Sequence, residues 1–342
     1  NLTLTINFSI NIIFLEAYNV SIPVRHRETC RLCEGRNLEL VLQLGSTPIG
    51  ADYMPAERLS QVQETCPINL YLCLDCGYAG LNDVVAPEAM FDDSAELTSM
   101  SLGVIENLQE LAKATVDRLS LPKNSLIVDI GSNDGTLLKA YQDLGMRVLG
   151  VEPAVFAANA AVKAGVPTMN AYFNSASAQS IKDEWGQASV ISANRVLANI
   201  DDMSDLIKAI RILLAPEGTL AFETGYLVDI VDKDLFDTIY HEHLSYLLLE
   251  PIIKLANGFE MEVSDVLERD IHGGSFRVFI SRKGERRVHE RVTEFLQREK
   301  NGKWNCPENL REFSKKVEKN REELTSLLTS LKTSGKQLKG RD

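Results

Sequence analysis

Two of the chain's five histidines fall within three residues, in the run Asp237-Thr238-Ile239-Tyr240-His241-Glu242-His243-Leu244-Ser245-Tyr246, beside carboxylates and two phenols. An imidazole changes charge near neutrality, so one short segment of this kind can supply a general base, the group that orients it and a proton donor. The chemistry it suits is removal of a weakly acidic proton at neutral pH. Two plainer readings compete. His241, Glu242 and His243 could ligate a cation, although adjacent residues diverge and the helical zinc motif spaces its histidines at i and i+4. His241 could equally be a structural histidine whose ring is satisfied by backbone.

Cys30/Cys33 and Cys73/Cys76 form two CxxC pairs in a long chain without an evident export signal, which is metal-site spacing rather than a disulfide framework. Each pair places two thiolates on a tight turn, so the pairs together close a four-sulfur tetrahedral zinc site. Four sulfurs leave no open position, and the zinc is expected to be structural; reduced thiols or a redox pair are the alternative. Cys66 and Cys306 are expected to be plain thiols.

The elements that must position these groups are legible on either side. Leu38 to Leu44 alternates as a strand, Gly45-Ser46-Thr47-Pro48 turns, and Ile68 to Leu74 is a second strand, in a module small enough to need the metal. Helical spacing follows from Leu102 to Leu119, and from Ser125 strands alternate with helices, the mark of a doubly wound α/β sheet. Leu126-Ile127-Val128-Asp129-Ile130 runs into Gly131-Ser132-Asn133-Asp134-Gly135 before a helix at Thr136, so backbone can approach a ligand at a helix N-terminus. The next strand, Arg147 to Val151, ends at Glu152, where a carboxylate can accept from two ribose hydroxyls.

Asn133 replaces the second glycine of the dinucleotide fingerprint and would crowd a pyrophosphate. The arrangement Asp129-x-Gly131-x-x-x-Gly135 instead resembles the first motif of S-adenosylmethionine methyltransferases, with NAD as the alternative. Asp129 either meets the cofactor or orders the loop. Ala188 to Ala193, ending at Asn194, and Gly218 to Phe222 continue the sheet. Glu260 to Glu268 and Ser275 to Arg282 are expected as a final antiparallel pair whose connection brings His272 and Arg277 towards the active-site edge.

A length of 342 residues with 44% hydrophobic and 25% charged content implies two or three soluble domains. The net charge of -12 argues against a nucleic-acid partner, which needs a basic surface, and favours a small molecule. Residues 1–20 are apolar but interrupted by Asn7, Asn11, Glu16 and Asn19, matching neither a signal peptide nor a membrane span, so a cytoplasmic location is expected.

The ordered set of Cys30/Cys33, Cys73/Cys76, Asp129 to Gly135, Gly150-Val151-Glu152-Pro153, Asp237 to Tyr246 and His272-Gly273-Gly274-Ser275-Phe276-Arg277 resembles the sugar C-methyltransferase family, over roughly residues 28 to 340. The resemblance implies S-adenosylmethionine-dependent methylation at the third carbon of a nucleotide-linked 4-keto-6-deoxy sugar, with a structural zinc. It implies His243 as base, with Tyr240 and Glu242 positioning the sugar or supporting the histidine. Asp129, Gly131, Ser132, Asn133, Gly135, Glu152 and Asn194 are then expected at the cofactor, and His241, His272, Arg277 and Asn199 at the substrate. A methyltransferase with another substrate, an NAD-dependent enzyme and a catalytically reduced zinc-containing binding protein are the alternatives.

Three departures accompany the resemblance. Asn199 stands where family members usually carry histidine, Phe91 to Ser101 lacks their usual tyrosines, and members usually continue past a Gly-Lys such as Gly335-Lys336 into a further Rossmann-like segment. Weaker nucleotide-sugar affinity is the expectation. The expected layout is an extension at 1–25, a zinc-binding β module at 26–90, a helical connector at 91–124, a Rossmann-like methyltransferase domain at 125–285 and the helical start of a C-terminal domain at 286–342.

Overall fold

The computed structural model describes residues 24–49, 60–91, 97–100 and 102–336. The extension expected at 1–25 lies outside them except for Val24 and Arg25, as do residues 92–96 and 101 of the connector.

Strands β1 (Val24–His26), β2 (Leu38–Thr47), β3 (Cys66–Cys73), β4 (Ala79–Leu81) and β5 (Asp83–Val85) build the N-terminal module, in which β2, β3 and β4 pair antiparallel and β1 pairs with β5. Helices α1 (Glu88–Phe91) and α2 (Leu102–Leu119) lead to the alternating region. That region begins β6 (Leu126–Ile130), α3 (Thr136–Asp143), β7 (Arg147–Val151), α4 (Val155–Lys163), β8 (Thr168–Met169) and α5 (Ser175–Trp185). It continues β9 (Ala188–Asn194), α6 (Met203–Leu213), β10 (Leu214–Gly225), α7 (Leu227–Asp232), β11 (Ser245–Tyr246) and α8 (Leu249–Gly258). A hairpin of β12 (Met261–Arg269) and β13 (Ser275–Arg282) precedes α9 (Glu290–Gly302) and α10 (Pro307–Thr333).

The large sheet runs β12-β13-β10-β9-β6-β7-β8, parallel from β8 to β10 and antiparallel at β13 and β12. A dinucleotide-binding sheet sets its sixth strand beside its fifth; here β13 is inserted between β10 and β12, as the antiparallel pair read from the sequence requires. Strand order reverses between β6 and β9, and the crevice at their carboxyl ends is where such sheets bind ligands.

Residues alternate across the sheet because successive strand side chains face opposite ways. Ile127, Val148, Val190, Ala221 and Phe279 pack with Leu111 of α2 and Leu138 of α3 on one side. Val128, Ile191, Leu220, Phe222 and Val278 pack with Ile181 of α5 and Ile210 of α6 on the other. Burial on both faces explains why β6 reads as a nearly unbroken apolar run.

Strand β11 crosses the boundary drawn from the sequence. It pairs antiparallel with β4, Ser245 opposite Gly80 and Tyr246 opposite Ala79, and so becomes the fourth strand of the N-terminal sheet. Two residues are too few for alternation to mark a strand, so nothing local announces this exchange.

Candidate active site and zinc centre

The four cysteines converge. Cys30 and Cys33 lie in the turn before β2, while Cys73 ends β3 and Cys76 lies in the turn that follows. The Sγ atoms all lie within 4.8 Å of one another, with Cys30–Cys76 and Cys33–Cys73 each at 3.6 Å. A tetrahedron with Zn–S bonds of about 2.3 Å has edges of about 3.8 Å, so the cluster fits zinc. The Cys76 thiol stabilises the Cys30 thiolate and lowers its pKa to about 5, which readies that sulfur as a ligand.

The second site is a cavity of about 440 Å³ at the carboxyl ends of β6 and β7, large enough for a cofactor. Gly131 and Asn133 form one wall, in the left-handed backbone region at φ 65° and 49°. Asparagine tolerates that conformation, so the loop closes without a second glycine. A Cβ on Gly131 would lie 2.4 Å from Val196 Cγ2, so the position also needs glycine for space. Glu152 lines the cavity directly beside them; its two carboxylate oxygens accept the Asn133 and Ala154 N–H groups at 2.8 Å each. Each oxygen keeps a lone pair for a ribose hydroxyl. Burial raises the Glu152 pKa, and those two amides oppose the shift.

Tyr172 and Phe173 add flat apolar surface for a base, and Asn199 Oδ1 is buried there with no protein hydrogen bond among the described residues. These donors, acceptors and faces suit an adenosine bearing an amino-acid tail. The connector docks on the same loop. Thr98 N–H donates to Asn133 Oδ1 at 2.8 Å and Ser99 N–H to Asp134 Oδ2 at 2.8 Å.

Residues 195–200, leaving the end of β9, partition this cavity from a smaller one of about 230 Å³. Val196, Asn199 and Ile200 face the cofactor side; Arg195 and Ala198 face the smaller cavity, together with Tyr240, His243, Tyr246 and His272. His243 Nδ1 lies 2.9 Å from the Thr238 carbonyl, which can only accept, so Nδ1 carries the proton. Nε2 is then the acceptor for the Tyr240 hydroxyl at 3.0 Å. Burial lowers the His243 pKa; the Thr238 carbonyl opposes that shift and the Arg195 charge adds to it. The imidazole is therefore neutral at pH 7 and able to accept a proton. His272 is also lowered, first by burial and then by Arg195.

Other expected site residues are placed away from the substrate cavity. His241 is 2% exposed and its Nε2 bonds the Cys66 carbonyl at 2.9 Å, so the substrate contact expected of it is corrected to the structural reading. Arg277, 1% exposed, bonds Glu223 Oε2 at 2.9 Å across the β10/β13 pairing and does not reach the substrate cavity. Asn199 faces the larger cavity and not the one that His243 lines. Glu242 stands outside the cavity lining.

Asp129 is buried beneath the loop, with Oδ1 accepting the Ser192 hydroxyl at 2.5 Å, so it supports the site from below. Ser132, Gly135 and Asn194 line neither cavity. Arg195 was missed by the sequence reading. It adopts φ 63° immediately after β9, and among the described residues no carboxylate forms an ion pair with it. Its only signal is a lone cation in an apolar stretch after a strand.

A sheet of this winding, with a glycine loop and strand-end carboxylate at its switch point and a four-cysteine centre beside it, defines an S-adenosylmethionine-dependent methyltransferase with a zinc-binding module. A zinc binding domain model matches residues 30–91, a methyltransferase domain model residues 104–263, and a C-methyltransferase C-terminal domain model residues 270–340. The chain is 30% identical over 318 residues to C-methyltransferase NovU of Streptomyces niveus, covering 93% of this chain and 76% of the relative. It belongs to the C-methyltransferase family.

Solved structures with a similar arrangement include magnesium protoporphyrin IX methyltransferase of Synechocystis PCC 6803 with bound SAH (14% identity, 53% of this chain and 84% of that one, TM-score 0.42). Another is the Haloferax volcanii methyltransferase in complex with the Trm112 activator (12% identity, 53% and 95%, TM-score 0.43). No helix among the described residues is long and apolar enough to cross a membrane.

Proposed function

We propose that this C-methyltransferase acts on the carbon next to the ketone of a nucleotide-linked 4-keto-6-deoxy sugar, at the third carbon. The observation that carries the reading is the neutral His243, its Nδ1–H fixed on Thr238 and its Nε2 facing Tyr240, in a cavity that also holds a cation. A carbon beside a ketone becomes nucleophilic only after losing a proton, so the site needs a base and a stabiliser for the enolate oxygen.

Tyr240 and His243 supply the base. The carbon-bound proton passes to the Tyr240 oxygen as the phenolic proton moves to Nε2, or to Nε2 directly once the tyrosine gives way. In both routes the positive charge ends on an imidazolium whose Nδ1–H stays anchored to Thr238. Arg195 and His272, in the same cavity, are the groups able to donate to the enolate oxygen; such preorganised donors are worth about 10²–10³ in rate. Bound S-adenosylmethionine supplies an electrophilic methyl group. Gly131, Asn133 and Glu152 are the residues that would hold it.

The ordered resemblance of the Tyr240 to His243 and His272 to Arg277 blocks supports a keto-sugar substrate. Mass spectrometry of products from a panel of 4-keto sugar nucleotides incubated with S-adenosylmethionine tests it. A gain of one methyl group on carbon is expected, and no methylated sugar from any member overturns the reading.

A further inference from the structure

The zinc module holds the catalytic segment directly. Leu244, the residue after His243, offers its carbonyl to Leu81 N–H at 2.9 Å, to Arg31 Nη1 at 3.0 Å and to the Tyr78 hydroxyl at 3.0 Å. The Tyr78 oxygen also lies 2.8 Å from Ser245 Oγ and accepts Arg31 Nη1 at 2.7 Å. Arg31 extends the same guanidinium to Leu81 O through Nη2 at 2.9 Å and to Asp201 Oδ1 through Nε at 3.0 Å. Asp201 stands on the rim of the cofactor cavity, so one side chain touches both halves of the site.

Both anchoring residues sit beside zinc ligands. Arg31 follows Cys30 within the first knuckle, and Tyr78 is two residues past Cys76, its carbonyl accepting Cys73 N–H at 2.7 Å. The sulfurs must converge for these turns to keep their shape. The fit is close, since a Cβ on Gly80 would lie 2.2 Å from the Tyr78 hydroxyl oxygen and 2.6 Å from Leu244 O. Burying a guanidinium completely, against one carboxylate, costs desolvation that its bonds only partly offset, whereas well-packed apolar side chains would stabilise the module at least as well. The arrangement instead gives a fixed position.

We propose that Arg31 and Tyr78 are positioning residues that transmit the state of the four-cysteine centre to His243 and to the Asp201 wall. Zinc then does more than close the N-terminal module: its occupancy sets the register of β11 against β4 and hence where the base points. For the catalytic arm this rests on His243 being the base. The resonance arm does not.

The test uses the zinc-loaded full chain carrying Tyr78→Phe or Arg31→Met, with metal content, steady-state kinetics and the imidazole titrations followed by NMR, the His243 signal being assigned with His243→Asn. Tyr78→Phe is expected to retain its zinc, to lower kcat about 10-fold with KM for S-adenosylmethionine within about 2-fold, and to move the His243 titration towards that of an ordinary imidazole. Arg31→Met should also weaken S-adenosylhomocysteine binding; if it fails to fold, Tyr78→Phe alone decides. Chelation of the wild-type metal should move the same resonance in the same direction. An unmoved His243 titration in both zinc-loaded Tyr78→Phe and the chelated wild type overturns the proposal. Undiminished turnover in His243→Asn would instead overturn the role of the base, leaving the coupling to be judged on the resonance.

Discussion

The Tyr240 hydroxyl lies 3.0 Å from Nε2 of His243, and because the Thr238 carbonyl claims the proton on Nδ1, that contact runs from phenol to imidazole. The rings are in contact, tilted by 37° with centroids 4.2 Å apart, so neither turns freely without the other. Under the proposed function, this pair is what would carry one proton away from a substrate carbon.

Removing the phenol oxygen leaves the imidazole in place but takes away the hydroxyl that donates to its Nε2. Tyr240→Phe is expected to lower kcat by about 10²–10⁴, the usual range for acid/base groups, with little effect on S-adenosylhomocysteine affinity. Steady-state kinetics and calorimetry check the two halves separately.

The pH dependence follows from the sign of the His243 shift. Burial, helped by Arg195, lowers its pKa, and the proposed mechanism uses the neutral form, so kcat/KM should fall on the acid side with an inflection below about 6.5. Arg195→Gln removes the like charge and should move that inflection to higher pH while lowering kcat about 10²–10³. A profile between about pH 5 and 8 decides it; a shift to lower pH would count against the assigned geometry.

How much of this was legible beforehand depends on how local the cause is. β7 and β13, the helix Leu102–Leu119 and the cysteine pairs lie where apolar runs, glycine punctuation and CxxC spacing mark them. The fates of Arg277 and His241 were not legible, because their partners are Glu223, across the β10/β13 pairing, and the Cys66 carbonyl, 175 positions away. The side that Asn199 faces is not legible either, because a partition's two faces are decided by a turn, and no periodicity marks which way that turn points. The shared strand β11 escaped for the same reason.

Asp129 titrates with the fold. Burial pushes its pKa up to about 7, against the opposing Ser192 hydrogen bond. A group raised on folding contributes stability that is present below its unfolded pKa, near 4, and lost as pH rises through the folded value. Asp129→Asn keeps the oxygen that accepts from Ser192 and should remove this loss, so the variant's Tm should gain on wild type between about pH 4 and 8. Thermal melts across that range check it.

Gly131 combines a positive φ with the close approach of Val196. Gly131→Ala must strain the loop or displace that wall, a cost of about 1–3 kcal/mol, and should weaken S-adenosylhomocysteine about 10-fold or more with zinc content unchanged. Calorimetry with metal analysis checks both.

In the proposed mechanism His243 removes a carbon-bound proton before any methyl moves. Exchange of the hydrogen next to the ketone of a 4-keto sugar nucleotide with heavy water, followed by NMR with S-adenosylhomocysteine in place of the methyl donor, reads that step alone. Wild-type protein should catalyse the exchange and His243→Asn should slow it by about 10³ or more. Exchange at an undiminished rate in His243→Asn would contradict the assignment.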